Sequence, residues 1–176
     1  MGTSREPVTI VNSAQTGLST VDQTTERLRT TLENVVNSRP QGFGAEYGKQ
    51  IHYGFGDEVR NAKIPGIARN DVEITFPKDT RYGSKHSIRT DVVLRNDIGD
   101  VIAIYDVKTG NAYLDAARVR ELRTKTGAGP SVPIIEMHVL RGLSLKARIP
   151  QPRYYWVITL RLWNPWIREI RRRRAA

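Results

Sequence analysis

The chain contains no cysteine. That excludes disulfides, thiolate zinc sites, iron–sulfur clusters and cysteine nucleophiles, and it leaves the redox compartment unreadable. Histidine is scarce, with residues 52, 86 and 138 only. They share no close spacing, so a histidine-rich zinc site is not expected. No uninterrupted apolar run approaches the ~20 residues that span a bilayer, so no transmembrane helix is expected. The opening stretch, MGTSREPVTIVNSAQTG, lacks a basic end followed by an apolar run, and no secretory signal is visible in it. Acidic residues are nearly missing from one end. Residues 137–176 carry ten basic groups and one acidic group, whereas residues 38–136 carry 15 and 13 and residues 1–37 carry three and four. Most of the net charge of +10 therefore lies in the last forty residues. Such a one-signed field suits a polyanion, either nucleic acid or an acidic membrane surface, although a solvated basic tail ending in Arg171–Arg174 explains it equally well.

What is present fits one domain. The chain has 176 residues and is 39% hydrophobic, enough for a core. Residues 1–20 are rich in Ser, Thr and Gly and read as an irregular lead-in, with a single domain over 21–176. Asp22 is placed to cap a helix to about Asn37, striped by Leu28, Leu32, Val35 and Val36. A second helix is expected from Phe43 to Val59. A short strand follows over Asp71–Phe76, then a polar loop over Lys78–Lys85. Ser87–Arg95 and Val101–Lys108 read as strands around the glycine-containing turn Asn96–Asp100. Tyr113–Thr126 reads as a helix stopped by Gly127. Val132–Leu140 and Tyr154–Trp163 read as strands, and Asn164-Pro165 can open a last basic helix. The order implies an α/β fold, a central mixed sheet flanked by helices.

The chemistry sits in VIAIYDVK, residues 101–108. Alternation puts Val101, Ala103, Tyr105 and Val107 on one face and Ile102, Ile104, Asp106 and Lys108 on the other. Apolar residues on both faces mark a central strand, yet one face ends in a carboxylate and an ammonium, groups seldom buried unpaired. If the hairpin loop is even, for example Asp97–Asp100, Asp91 falls opposite Asp106 on that face. A divalent cation would then turn a repulsive pair into a ligand pair. An odd loop puts Asp91 on the wrong face unless a β-bulge restores the register.

Asp91, fourteen intervening residues, then Asp106-Val107-Lys108 resembles the PD-(D/E)xK motif of the restriction-endonuclease-like nuclease superfamily. Thr90 stands where the motif has its proline. The resemblance implies a restriction-endonuclease-like fold and a Mg²⁺ (or Mn²⁺) ion held by Asp91, Asp106 and the carbonyl of Val107. It implies that Lys108 orients the attacking water and stabilises charge on the phosphate. It also implies a glutamate from a preceding helix, for which Glu46 is the candidate and Glu33 the competitor. TGNAYLDAARVREL resembles the segment after the motif in many such nucleases, and puts Arg118 or Arg120 within reach of the phosphate. His86, beside Lys85 and Arg89, is a further candidate for phosphate contact, while His52 and His138 read as structural.

Small size, basic charge and a polar start make the chain most similar to nuclease toxin domains of bacterial polymorphic toxins and secreted effectors. That likeness implies a DNA-cutting, low-specificity toxin delivered into the target-cell cytoplasm and neutralised by an acidic immunity protein. A ribonuclease of the same fold, for example one cleaving transfer RNA, is the alternative. A noncatalytic nucleic-acid-binding module is the third reading. For that module, Tyr154, Tyr155, Trp156, Trp163 and Trp166 with Arg153, Arg161 and Arg168 would supply stacking and charge, although alternation in this stretch also fits a core strand.

Overall fold

The structure, a computed structural model, describes residues 8–12, 16–40, 42, 44–76 and 87–141. The strand Tyr154–Trp163, the basic helix after it, the loop 78–85 and His86 lie outside the described residues.

The stripe Leu28, Leu32, Val35 and Val36 drives helix α1 (Ser19–Ser38), and all four side chains are buried. Asp22 does not stand at its N-cap. Leu18 occupies that position, and Asp22 in the first turn reaches back to accept from Thr16 N (2.7 Å), Thr16 Oγ1 (2.8 Å) and Gly17 N (3.0 Å). Its charge still favours the helix start, where unpaired N–H groups gather. Helix α2 (Gly44–Ala62) tolerates internal glycines because two of them permit close packing. A Cβ on Gly48 would lie 2.9 Å from Thr109 Oγ1, and one on Gly56 would lie 3.2 Å from Glu73 Cγ. Asp115 caps helix α3 (Ala116–Thr126) by accepting from Arg118 N at 2.7 Å, and Gly127 ends it at φ 71°.

Five strands form one mixed sheet: β1 (Val8–Asn12), β2 (Val72–Phe76), β3 (Ile88–Arg95), β4 (Val101–Thr109) and β5 (Ile134–Arg141). Their order is β1-β5-β4-β3-β2, with β4 and β5 parallel and the other pairs antiparallel. Strand β1 corrects the expectation of an irregular lead-in. VTIVN is short, and its partner is remote in sequence, Val8 pairing with Arg141, so no local signal announces it. Helices α1 and α2 pack one face through Val92, Leu94, Tyr105, Val107 and Met137; α3 covers the other, its Val119 and Leu122 clustering with Val93 and Ile104 of the sheet and with Leu114 before the helix. Among the described residues no helix is long and apolar enough to cross a membrane.

The hairpin register turns on one extra residue. Arg95 pairs with Val101, which leaves an odd loop over 96–100, but Leu94 pairs with Ala103. Ile102 is therefore bulged out, and beyond it the register runs Val93↔Ile104 and Val92↔Tyr105. The bulge also exchanges two side chains relative to strict alternation. Val101 packs with the α3 side and Ile102 with the α1–α2 side.

Candidate metal centre

One residue beyond Val92↔Tyr105, the register sets Asp91 opposite Asp106. Asp106 pairs with Glu136 on β5. On the other side Glu73 falls between Val72↔Val92 and Ile74↔Thr90, opposite Asp91. Four carboxylates thus lie in one row across β2, β3, β4 and β5. Such a row is unstable without compensating partners, and each member has a basic side chain beside it. Arg89 Nε lies 2.7 Å from Glu73 Oε2, and His52 Nδ1 2.8 Å from Asp91 Oδ1. Lys108 contacts Asp106 directly, with Arg118 Nη2 3.9 Å away, and His138 Nδ1 is 3.2 Å from Glu136 Oε1.

Asp91 is held from two sides. Its Oδ1 meets His52 on α2, and its Oδ2 accepts the backbone N–H of Val107 at 2.5 Å. The carboxylate thus takes a backbone donor of β4, and beside it residues of α2, β3, β4 and α3 line a cavity of about 480 Å³. Asp91, Asp106, Lys108, His52, Arg89 and Arg118 line it together. Asp106 is 2% exposed, and burial pushes its carboxyl up, opposed by the Lys108 ammonium and reinforced by the charge of Asp91. Burial, with the charge of Asp91 beside it, pushes Glu73 up to about 7. Burial works to lower the His52 imidazole, but the bond to Asp91 and the charges of Glu73 and Asp106 outweigh it and raise the group.

His52, Glu73 and Asp91 could hold a metal ion, since one ligand atom from each lies within 4.8 Å of the others. Imidazole with two carboxylates is a donor set for a divalent first-row ion. Glu73 fits that role: its side chain is 8% exposed and its Oε1 is buried with no hydrogen-bond partner among the described residues. The expected ligand set was Asp91, Asp106 and Val107. Asp91 belongs to the grouped ligands. Asp106 shares the cavity but stands with Lys108, and Val107 meets Asp91 through its N–H.

The helix before the strands does send a side chain to the site, but it is His52. Glu46 points to solvent, its side chain 74% exposed and 3.7 Å from Lys49. Glu33 stays on α1, paired with Arg29 at 3.1 Å. Arg118 reaches the cavity while donating to the Arg89 carbonyl at 2.9 Å, and Arg120, two residues on, is exposed away from it. His52 carried one overlooked signal, glycines four residues to either side on the same helical face. Glu73 carried none, because its backbone departs from strand geometry, φ 58°.

Comparison with protein-family models, with curated proteins and with solved structures returned no match to this chain.

Proposed function

We propose that the chain is a metal-dependent endonuclease of the restriction-endonuclease-like type that hydrolyses phosphodiester bonds in DNA with low sequence specificity. The observation that carries this reading is the convergence of Asp91, Asp106 and Lys108 on one cavity beside a group of metal ligands. His52, Glu73 and Asp91 would hold the ion, Mg²⁺ or Mn²⁺, and the imidazole favours Mn²⁺ of the two. When bound, the ion would polarise the scissile phosphate and lower the pKa of a water. Asp106 keeps the Lys108 ammonium and the Arg118 guanidinium at the cavity wall. Lys108 donates to a phosphate oxygen as a point charge, and Arg118 grips two with its planar fork. The toxin role, delivery into a target cell and an acidic immunity partner belong to the same reading and rest on the likeness in size, basic charge and polar start to nuclease toxin domains.

Supercoiled plasmid and total transfer RNA, each incubated with Mg²⁺ or Mn²⁺, test the reading. Plasmid nicking that stops with chelator is expected. Cleavage of transfer RNA alone would move the substrate to RNA, and binding without cleavage would leave a noncatalytic module. Asp106→Asn should lower cleavage by about a hundredfold or more while DNA binding persists or tightens, the pattern for a group acting beyond substrate binding. Binding and cleavage falling together would contradict the site assignment.

A further inference from the structure

Glu136, the last carboxylate of the row, and the 3%-exposed His138 two residues on play no part in the proposed chemistry. Both lie on β5, in register with Asp106 and Lys108 of β4. His138 Nε2 is 2.8 Å from the carbonyl oxygen of Gly110. A carbonyl only accepts, so Nε2 carries a proton. His138 Nδ1 faces Glu136 Oε1, while Glu136 Oε2 accepts the Leu114 N–H at 2.6 Å. Two acceptors against two ring nitrogens call for an imidazolium beside a carboxylate. The Tyr113 ring stands edge-on to the imidazole, centroids 4.8 Å apart at 73°. Gly110, Tyr113 and Leu114 all belong to the connection from β4 to α3, which starts just past Lys108 and ends at Asp115, the cap three residues before Arg118.

We infer that Glu136, half-buried, and His138, buried, form a charged clamp on the β4–α3 connection and are positioning residues for Lys108 and Arg118. The clamp stands on its own geometry; its effect on cleavage rests on the nuclease reading. If His138 loses a proton, Nε2–H can keep Gly110, but the Nδ1 lone pair then faces the Glu136 carboxylate. Glu136 is driven off, and the bond to Leu114 goes with it. Burial favours the neutral imidazole; the bonds to Glu136 and Gly110 outweigh it and hold the group above its usual value. Among the described residues the ionisable groups facing His138 are Glu136 on its own strand, Lys108 on β4, which opposes the charge, and Tyr113 in the connection. The His138 contribution is thus full below its ordinary value and is lost as pH rises through the raised one. The Glu136 carboxylate, held below its usual range against burial by its bonds to His138 and Leu114, keeps the clamp charged until pH falls through its own lowered value.

Long-range nitrogen–proton spectra of the ¹⁵N-labelled full chain test the clamp without any substrate. Both ring nitrogens of His138 should be protonated at neutral pH. Raising pH through its titration should cut Leu114 amide protection at least tenfold after correction for intrinsic exchange. In Glu136→Gln the side-chain oxygen still accepts from Leu114 and the amide donates to Nδ1, so His138 turns neutral while Leu114 stays protected. A neutral His138 in the unmodified chain at pH 6, or Leu114 protection indifferent to its titration, overturns the clamp. For cleavage, kcat should fall on the alkaline side with the His138 titration, and Glu136→Gln should remove that fall. An unchanged alkaline limb in Glu136→Gln overturns the positioning role. Absence of cutting by the unmodified chain would sink the nuclease reading instead, and the spectra would still judge the clamp.

Discussion

Glu73 sits in the left-handed backbone region, φ 58°, a conformation that costs a residue with a Cβ roughly 1–3 kcal/mol. The same residue buries an oxygen that has no hydrogen-bond partner among the described residues, and burial raises its carboxyl to about 7. Strain, an orphan acceptor and a displaced proton affinity converge on one side chain, and a cation would relieve the last two. The metal-free chain should feel this as a pH-dependent burden. Because Glu73 titrates higher folded than its ordinary 4.5, its favourable contribution is complete below about 4.5 and is lost as pH rises through about 7. Denaturant unfolding of the metal-free chain across that window should show stability falling with pH, and Glu73→Gln should flatten the slope. Added Mn²⁺ should restore most stability at the upper end, since only the ionised carboxylate binds it well. A slope unchanged by Glu73→Gln would remove Glu73 from the centre.

Helix α2 matters through how near it comes to the sheet. Alanine in place of a mid-helix glycine ordinarily gains about 0.5–1 kcal/mol. At Gly48 a new Cβ would meet Thr109 Oγ1 at 2.9 Å, at the end of the motif strand. Gly48→Ala should therefore lose about 1 kcal/mol, as overpacking does. It should also weaken Mn²⁺ binding several-fold, because His52 is carried one turn away. Pairing it with Thr109→Ala should recover both losses, measured by urea unfolding and by metal titration. Two independent losses with no rescue would show that the contact is not what sets the helix distance. The hairpin β3–β4 makes a parallel point. Its five-residue loop is odd, and the bulged Ile102 alone brings Asp91 back into line with Asp106.

For the molecule as a whole, a charge of +10 has consequences independent of any one contact. Binding to DNA should weaken by about a thousandfold between about 50 and 200 mM salt, through counterion release. Fluorescence anisotropy with a labelled duplex in chelator would measure this, and a flat salt response would argue against phosphate contacts. Much of the excess charge lies beyond residue 141, outside the described residues, so the cavity supplies only part of that slope.

The amino-acid order alone determined helices α1, α2 and α3, the motif strand and the placing of Asp106 and Lys108 on one strand face, because periodicity, turn residues and a two-residue spacing are local properties; that the two form an ion pair is a finding of the structure. It also raised the question of hairpin parity and named the bulge that would rescue an odd loop. Only the tertiary structure decided that the bulge exists, that residues 8–12 add a strand, and that His52 and Glu73, rather than Glu46, join Asp91. Those choices depend on how closely separate elements approach and on one left-handed backbone angle. Neither quantity has a short-range pattern, since each is set by packing between residues far apart in the chain.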